Sequence, residues 1–316
     1  MPGTNTLAKN AVVGPGVDAA DKAGPFWSRL ALPGRAGLLV LPALAFMVVF
    51  YLYPVSMMLQ TSVEPAASGA TAAKAGGITF QHYGEVLDSR RMTASLERTI
   101  RLSAISTLIT FVIAYPIALF LVGARPWLRT AILVFTFASL AASIIVRNYG
   151  WLVVLADGGP VNSILIAVGI IEWPLRLVYS EGAILVALVH YAMPFMILPI
   201  YGALVRLTPS QWEAAQSLGG SPWTVLRSVV LPLSMPGVFG GVTLSFAIAA
   251  SAYVTPLMLG SPASAFASQV AAEELLVQLN FPRGSAVIVL LTLCTFAVIG
   301  LYAFAVRRIG QTHVRG

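Results

Sequence analysis

Few side chains in this 316-residue chain are placed to do chemistry, and their spacing narrows what that chemistry could be. His82, His190 and His313 lie far apart, without the spacing of metal ligands. No G-x-S-x-G turn presents a nucleophile. Lys9, Lys22 and Lys74 have no glycine-rich loop around them, so the chain does not cradle nucleotide phosphates by the usual device. Cys294 is the one cysteine, sits in an apolar run and has no partner for an intrachain disulfide. No catalytic residue, metal or cofactor is expected. Two places remain. Arg147-Asn148-Tyr149-Gly150-Trp151 puts a cation inside an apolar run, with Asp157 shortly beyond it. A charge within a bilayer is costly and usually faces a bundle interior or a watery cavity, which makes Arg147, Asn148, Tyr149, Trp151 and Asp157 candidates for a solute pathway. Equally, Arg147 could snorkel to the outer interface beside Trp151, and the sequence leaves both readings open. His190, next to Tyr191, reads as a hydrogen-bonded packing residue rather than a ligand.

The second place is the polar stretch 208–232, punctuated by proline and glycine between two long apolar segments. Thr208 suits an N-cap, Pro209 a first helical position, and Gln211 completes a capping box. Gly219 fits the left-handed position past the end of a short helix. Ser221 and Pro222 repeat the start signal, and the second short helix is expected to carry Trp223, Leu226 and Val229 or Val230 on one face. Pro232 is expected to stop or kink that helix, and Pro236 to repeat the interruption. The spacing gives a helix–turn–helix. By itself it does not name a partner.

The elements that hold these residues must be membrane helices. Hydrophobic residues make up 58% of the chain and charged ones 10%, against roughly 25% charged in a soluble domain. With a mean hydropathy of +0.84, the bilayer is its main solvent. The expected class is all-α, a polytopic membrane protein with six spans at about 36–60, 99–123, 130–155, 182–206, 236–259 and 284–306. Residues 1–35 read as a mobile tail and 309–316 as a second tail. The short apolar piece 164–171 should lie at the interface or re-enter. The net charge of +7 is dispersed and reads as membrane topology, not as a nucleic-acid footprint. Lysine and arginine placement modestly favours a cytoplasmic N-terminal tail, and most acids then fall outside. Among those outer acids, Glu273 and Glu274 are expected to be solvated. An even number of crossings puts both termini and the 208–232 loop in the cytoplasm.

Glu213-Ala214-Ala215, Gly219 and Val229-Val230-Leu231-Pro232 together resemble E-A-A-x3-G-x9-I-x-L-P, the signature of the permease subunits of type I ABC importers. Val229 replaces the usual isoleucine, and Ser217 stands where many relatives carry an aspartate. The resemblance implies a type I ABC importer permease fold over 36–308. It makes 208–232 a coupling loop, with Glu213, Ala214, Ala215, Gly219, Leu231 and Pro232 docking on an ATP-hydrolysing subunit. The run Val146-Arg147-Asn148-Tyr149-Gly150-Trp151, then Gly159-Pro160-Val161-Asn162-Ser163, is similar to V-R-x-Y-x-W and G-x-x-N-S of spermidine/putrescine-type permeases. Pro282-Arg283-Gly284-Ser285-Ala286 is similar to their W-P-x-G-x-A. What the resemblance implies is a bacterial inner-membrane subunit without its own ATPase site. Its partners would be ABC ATPase subunits, a second permease subunit and an extracytoplasmic solute-binding protein. A doubled permease would need a second E-A-A-x3-G segment, and none exists. The alternatives are an ion-gradient-driven transporter or channel, disfavoured because the spans are nearly bare of acids, and a scaffold whose hairpin recruits a partner.

Overall fold

The computed structural model describes residues 35–65, 77–206 and 221–312. Among these, six helices are long and apolar enough to cross a membrane: Val40–Thr61, Arg90–Gly123, Ile144–Ala167, Glu181–Leu204, Trp223–Ala250 and Phe281–Phe304. The chain is an all-α polytopic membrane protein. It divides into two compact units, Met1–Met58 and Leu59–Gly316.

The first unit holds α1 (Arg35–Met47), a π-turn at Val48–Leu52 and most of α2 (Tyr53–Thr61). The π-turn has a local cause. Tyr53 donates its N–H to Val48 O, five residues back, immediately before Pro54. A proline has no N–H and its ring crowds the carbonyl four residues back, so a widened turn just before it relieves both. The second unit repeats the device: Leu231 donates to Leu226 O, five residues back, immediately before Pro232.

The second unit begins with α3 (Gln81–Asp88), α4 (Arg90–Gly123), α5 (Pro126–Ala141), α6 (Ile144–Leu155) and α7 (Pro160–Ala167). It continues with α8 (Glu181–Leu204), α9 (Pro222–Val225), the π-turn Leu226–Val230, α10 (Leu231–Ala250), α11 (Val254–Leu259), α12 (Ala267–Leu276) and α13 (Phe281–Thr312). The expected run 130–155 is two helices, separated by the extended residues Ala142 and Ser143. Pro232 and Pro236 do not end the fifth span, which is helical from Pro222 to Ala250 with the π-turn as its accommodation.

Helices α4, α8 and α10 form the core. At one end Leu121, Leu204, Val225 and Val230 are buried together with Met196 and Ile200. Toward the other end Leu102, Ala183, Ile184, Leu188, Ala249 and Phe266 fill the interior. Helix α8 starts on Ser180, whose hydroxyl accepts the Ala183 N–H at 3.2 Å, and Glu181 follows in the first turn. Close approach of α8 and α10 depends on Gly237: a Cβ there would lie 2.5 Å from Pro199 O and 2.6 Å from Ala203 Cβ. In lipid, where burial against acyl chains gains little, such small-residue contact is what joins helices. Thr99, Thr107 and Thr110 on α4 return their hydroxyls at 2.7 Å to carbonyls four residues back, so these polar groups are satisfied inside their own helix.

Candidate functional site

Glu213, Ala214, Ala215 and Gly219 lie outside the described residues. The elements that hold their loop at both ends are described. Helix α8 enters from Leu204, and α9 with the π-turn leaves through Val225 and Val230; all three side chains are buried in one cluster. Leu231 packs against the same cluster and Pro232 follows it into α10. The face expected for this helix holds in part. Trp223 is 69% exposed, while Val225 and Val230 are buried and Leu226 half-buried. Leu226 and Val230 thus pack on the side expected, and Trp223, in the turn before the π-turn, does not.

Arg147 is half-buried. It sits at N4 of α6 and reaches back to the carboxyl end of α5. Its NH2 donates to Ser139 O and, at 3.2 Å, to Ala142 O. Those carbonyls belong to a helix end whose last acceptors have no partner in the helix and carry the negative end of its dipole. The guanidinium also lies over the ring of Tyr191 on α8, 5.0 Å from its centre. One turn further along α6, Trp151 donates its indole N–H to His190 Nδ1 at 3.1 Å, and the two rings meet edge-on. Asn148 is buried and donates to Thr255 Oγ1 on α11 at 3.2 Å. The structure therefore brings Arg147, Asn148 and Trp151 into one interhelical cluster. Tyr149 points out of it, 63% exposed, and Asp157 is exposed in the turn after α6.

The G-x-x-N-S segment works as a staple. Asn162 is fully buried; it donates to Ala156 O at 3.1 Å and to Leu175 O at 3.0 Å, and accepts the Leu175 N–H at 2.8 Å. It closes the α6–α7 turn onto the chain leading to α8.

A family model for the binding-protein-dependent transport system inner membrane component matches residues 106–311. The chain is 33% identical over 204 residues to the spermidine/putrescine transport system permease protein PotB of Haemophilus influenzae, covering 65% of this chain and 71% of that one. It is 24% identical over 273 residues to PotB of Escherichia coli K12, covering 86% and 98%. A bacterial alginate ABC transporter, crystallised with an alginate pentasaccharide-bound periplasmic protein, superposes with a TM-score of 0.72 at 16% identity over 90% of this chain and 98% of that one. At that identity the likeness speaks for the fold. The chain belongs to the binding-protein-dependent transport family. It is an ABC importer permease, a multi-pass inner-membrane transport subunit.

The end of the permease opposite the loop root is held by charge. Arg98 and Arg101 both meet Glu181, at 3.1 Å and 2.9 Å, and Arg98 also donates to Ala265 O. Arg91 forks onto Glu273, with one nitrogen–oxygen pair at 3.0 Å. That hydrogen bond holds the Glu273 carboxyl below its ordinary pKa of 4.5. Glu274 is 1% exposed and lies 3.5 Å from Arg283. The expectation that these acids are merely solvated is corrected: Glu273 is paired with Arg91, Glu274 is buried beside Arg283, and through them α12 is held to α4 and α13. Gly284 permits the clamp, since a Cβ there would meet Leu275 Cγ at 2.6 Å. This explains the Pro-Arg-Gly-Ser-Ala run by packing.

Sequence reasoning missed Arg129. It caps α4 from N4 of α5, donating to Leu121 O at 3.1 Å, Val122 O at 3.0 Å and Ala124 O at 3.2 Å. The available signal was an arginine four residues into a helix that follows an extended pair. Tyr191 was passed over because a lone aromatic in an apolar span gives no signal.

Proposed function

We propose that this permease imports a small organic amine of the polyamine class, driven by ATP that a separate chain hydrolyses. The observation that carries the reading is the E-A-A-x3-G loop strung between α8 and α9, whose two ends are buried in one cluster through Leu204, Val225 and Val230. A loop rooted so firmly can pass a push into the bundle. Glu213, Ala214, Ala215, Gly219, Leu231 and Pro232 form the element that docks on the ATPase. Both termini lie in the cytoplasm, with the α12 end of the bundle outside. ABC ATPase subunits, a second permease subunit and an extracytoplasmic solute-binding protein complete the transporter; the periplasmic protein seen with the alginate transporter supports the last. The names of the PotB relatives support the polyamine class. Transport proceeds by alternating access, the bundles rocking as the ATPase subunits close.

The test is reconstitution of the complex in proteoliposomes. Spermidine uptake should require ATP and the ATPase chain. Glu213→Lys or Gly219→Asp should abolish uptake while the protein still inserts. Uptake by this polypeptide alone would end the reading.

A further inference from the structure

We propose that the Arg147–Tyr191 contact is a latch that makes the α5–α6 corner move with α8, so that Arg147 is a positioning residue in the transport stroke; this rests on reading 208–232 as the coupling loop. Ala142 and Ser143 are extended, so the corner is the one place where α5 and α6 can pivot about each other. Two α6 residues four apart, Arg147 and Trp151, share a face and grip two adjacent α8 residues, Tyr191 and His190. On a neighbouring side Asn148 ties α6 to Thr255. Helix α8 then runs on to Leu204, buried with Val225 and Val230 at the loop root. A displacement of that root is carried along α8, which stays helical through Pro194 and Pro199, over roughly 20 Å, at about 1.5 Å per residue, to the ring of Tyr191. The latch passes it to α6, which carries the exposed Tyr149 and the turn held by Asn162. The corner at Arg129 shares the carbonyl contacts, but among the described residues Arg129 has no ring beneath it. Capping alone therefore does not require Tyr191.

The experiment replaces Tyr191 by phenylalanine and then by progressively fluorinated phenylalanines in the reconstituted complex. Ring shape is kept while the negative face is drained. With spermidine as probe, solute imported per ATP hydrolysed should stay within about twofold for phenylalanine and fall about fivefold or more along the series, with KM unchanged. A flat series overturns the latch. So does a rising KM at constant import per ATP, which would place Tyr191 on the solute. A second readout needs no solute. Spin labels at positions 153 and 186, exposed on α6 and α8, are introduced in a Cys294→Ser background. Their separation should be the same with and without ATP in the parent and should change with ATP in the most fluorinated variant. Identical behaviour overturns the proposal. Glu213→Lys in the same preparation reports on the coupling loop separately: normal import by that variant removes the loop reading, whatever the Tyr191 series gives.

Discussion

The corners at Ala124–Arg125 and Ala142–Ser143 are built alike and sit in different surroundings. Each has two extended residues, with φ/ψ of −69/150 and −56/144 at the first and −70/131 and −56/134 at the second. Each is closed by an arginine at N4 of the following helix, reaching carbonyls eight and five residues back: Arg129 to Leu121 and Ala124, Arg147 to Ser139 and Ala142. The first lies between α4 and α5 at the loop-root end of the bundle, where Leu121 joins the cluster of Val225 and Val230. The second lies between α5 and α6, just before the candidate span that starts at Ile144. One design thus serves at two different corners. The lesson concerns what an arginine in an apolar run signifies. Its charge is taken up by the carboxyl end of a helix, and only its second contact, the Tyr191 ring, distinguishes it from an ordinary cap.

Truncating the two arginines should separate the corners most sharply. Arg147→Ala removes two carbonyl contacts and the contact with the Tyr191 ring, and should destabilise by about 2 kcal/mol. Arg129→Ala removes carbonyl contacts alone and should cost about 1 kcal/mol. Unfolding of the two variants in detergent, at matched conditions, checks the ranking. Equal losses would mean that the Tyr191 ring adds nothing to the second corner.

Lysine in place of arginine sharpens the point. A single ammonium reaches one carbonyl at a time and lies less well over a ring. Arg129→Lys should therefore lose part of its three carbonyl contacts, about 0.5 kcal/mol, and Arg147→Lys, which also leaves the Tyr191 ring, should lose about 1 kcal/mol more. A thermal shift series of the two lysine variants reads the difference.

Much of this architecture was legible and some was not, for physical reasons. Five of the six spans were readable because lipid demands long apolar helices, the third having been expected at 130–155 where the candidate span is Ile144–Ala167; residues 207–220 lie outside the described residues. The corner at Ala142 was invisible. An Ala-Ser pair does not disturb hydropathy, and the arginine that stabilises the break lies several residues away in what looks like the same run. The π-turns were invisible as well, since a one-residue insertion leaves composition untouched. The burial of Glu274 depends on α12 folding back onto α13, a tertiary event with no local mark except Gly284. Of the residues proposed for coupling, Leu231 and Pro232 are among the described residues, whereas Glu213 to Gly219 rest on their spacing.

The end opposite the loop root offers a contrast in kind. There the arginines meet carboxylates, which titrate; at the corners they meet carbonyls, which do not. The Glu273 carboxyl sits below its ordinary value because Arg91 donates to it. A depressed carboxyl contributes stability that is fully present above the unfolded value near 4.5 and is lost as pH falls through the lower folded value. Acidification below that point should loosen α12 from α4 and leave both corners closed. Hydrogen exchange at pH 3 and pH 6, compared at matched intrinsic rates, should show α12 amides losing protection while α5 and α6 keep theirs. Glu273→Gln should remove much of that pH response.

The smallest expected effect tests whether the corners are interchangeable. The first has Pro126 at N1 of α5, and the second has Ile144 at N1 of α6. Proline suits N1 because the amide there has no helical acceptor and its φ is already helical. The residue before a proline must be extended, and Ser143 already is, at φ −56 and ψ 134. Ile144→Pro should therefore cost no more than about 1 kcal/mol, mostly from lost apolar contact of a half-buried side chain, while the same substitution at Val153, inside the helix, should cost about 3 kcal/mol or more. If Ile144→Pro proved as damaging as Val153→Pro, the corner would not be a true helix boundary. The likeness to the Arg129 corner would then be only apparent.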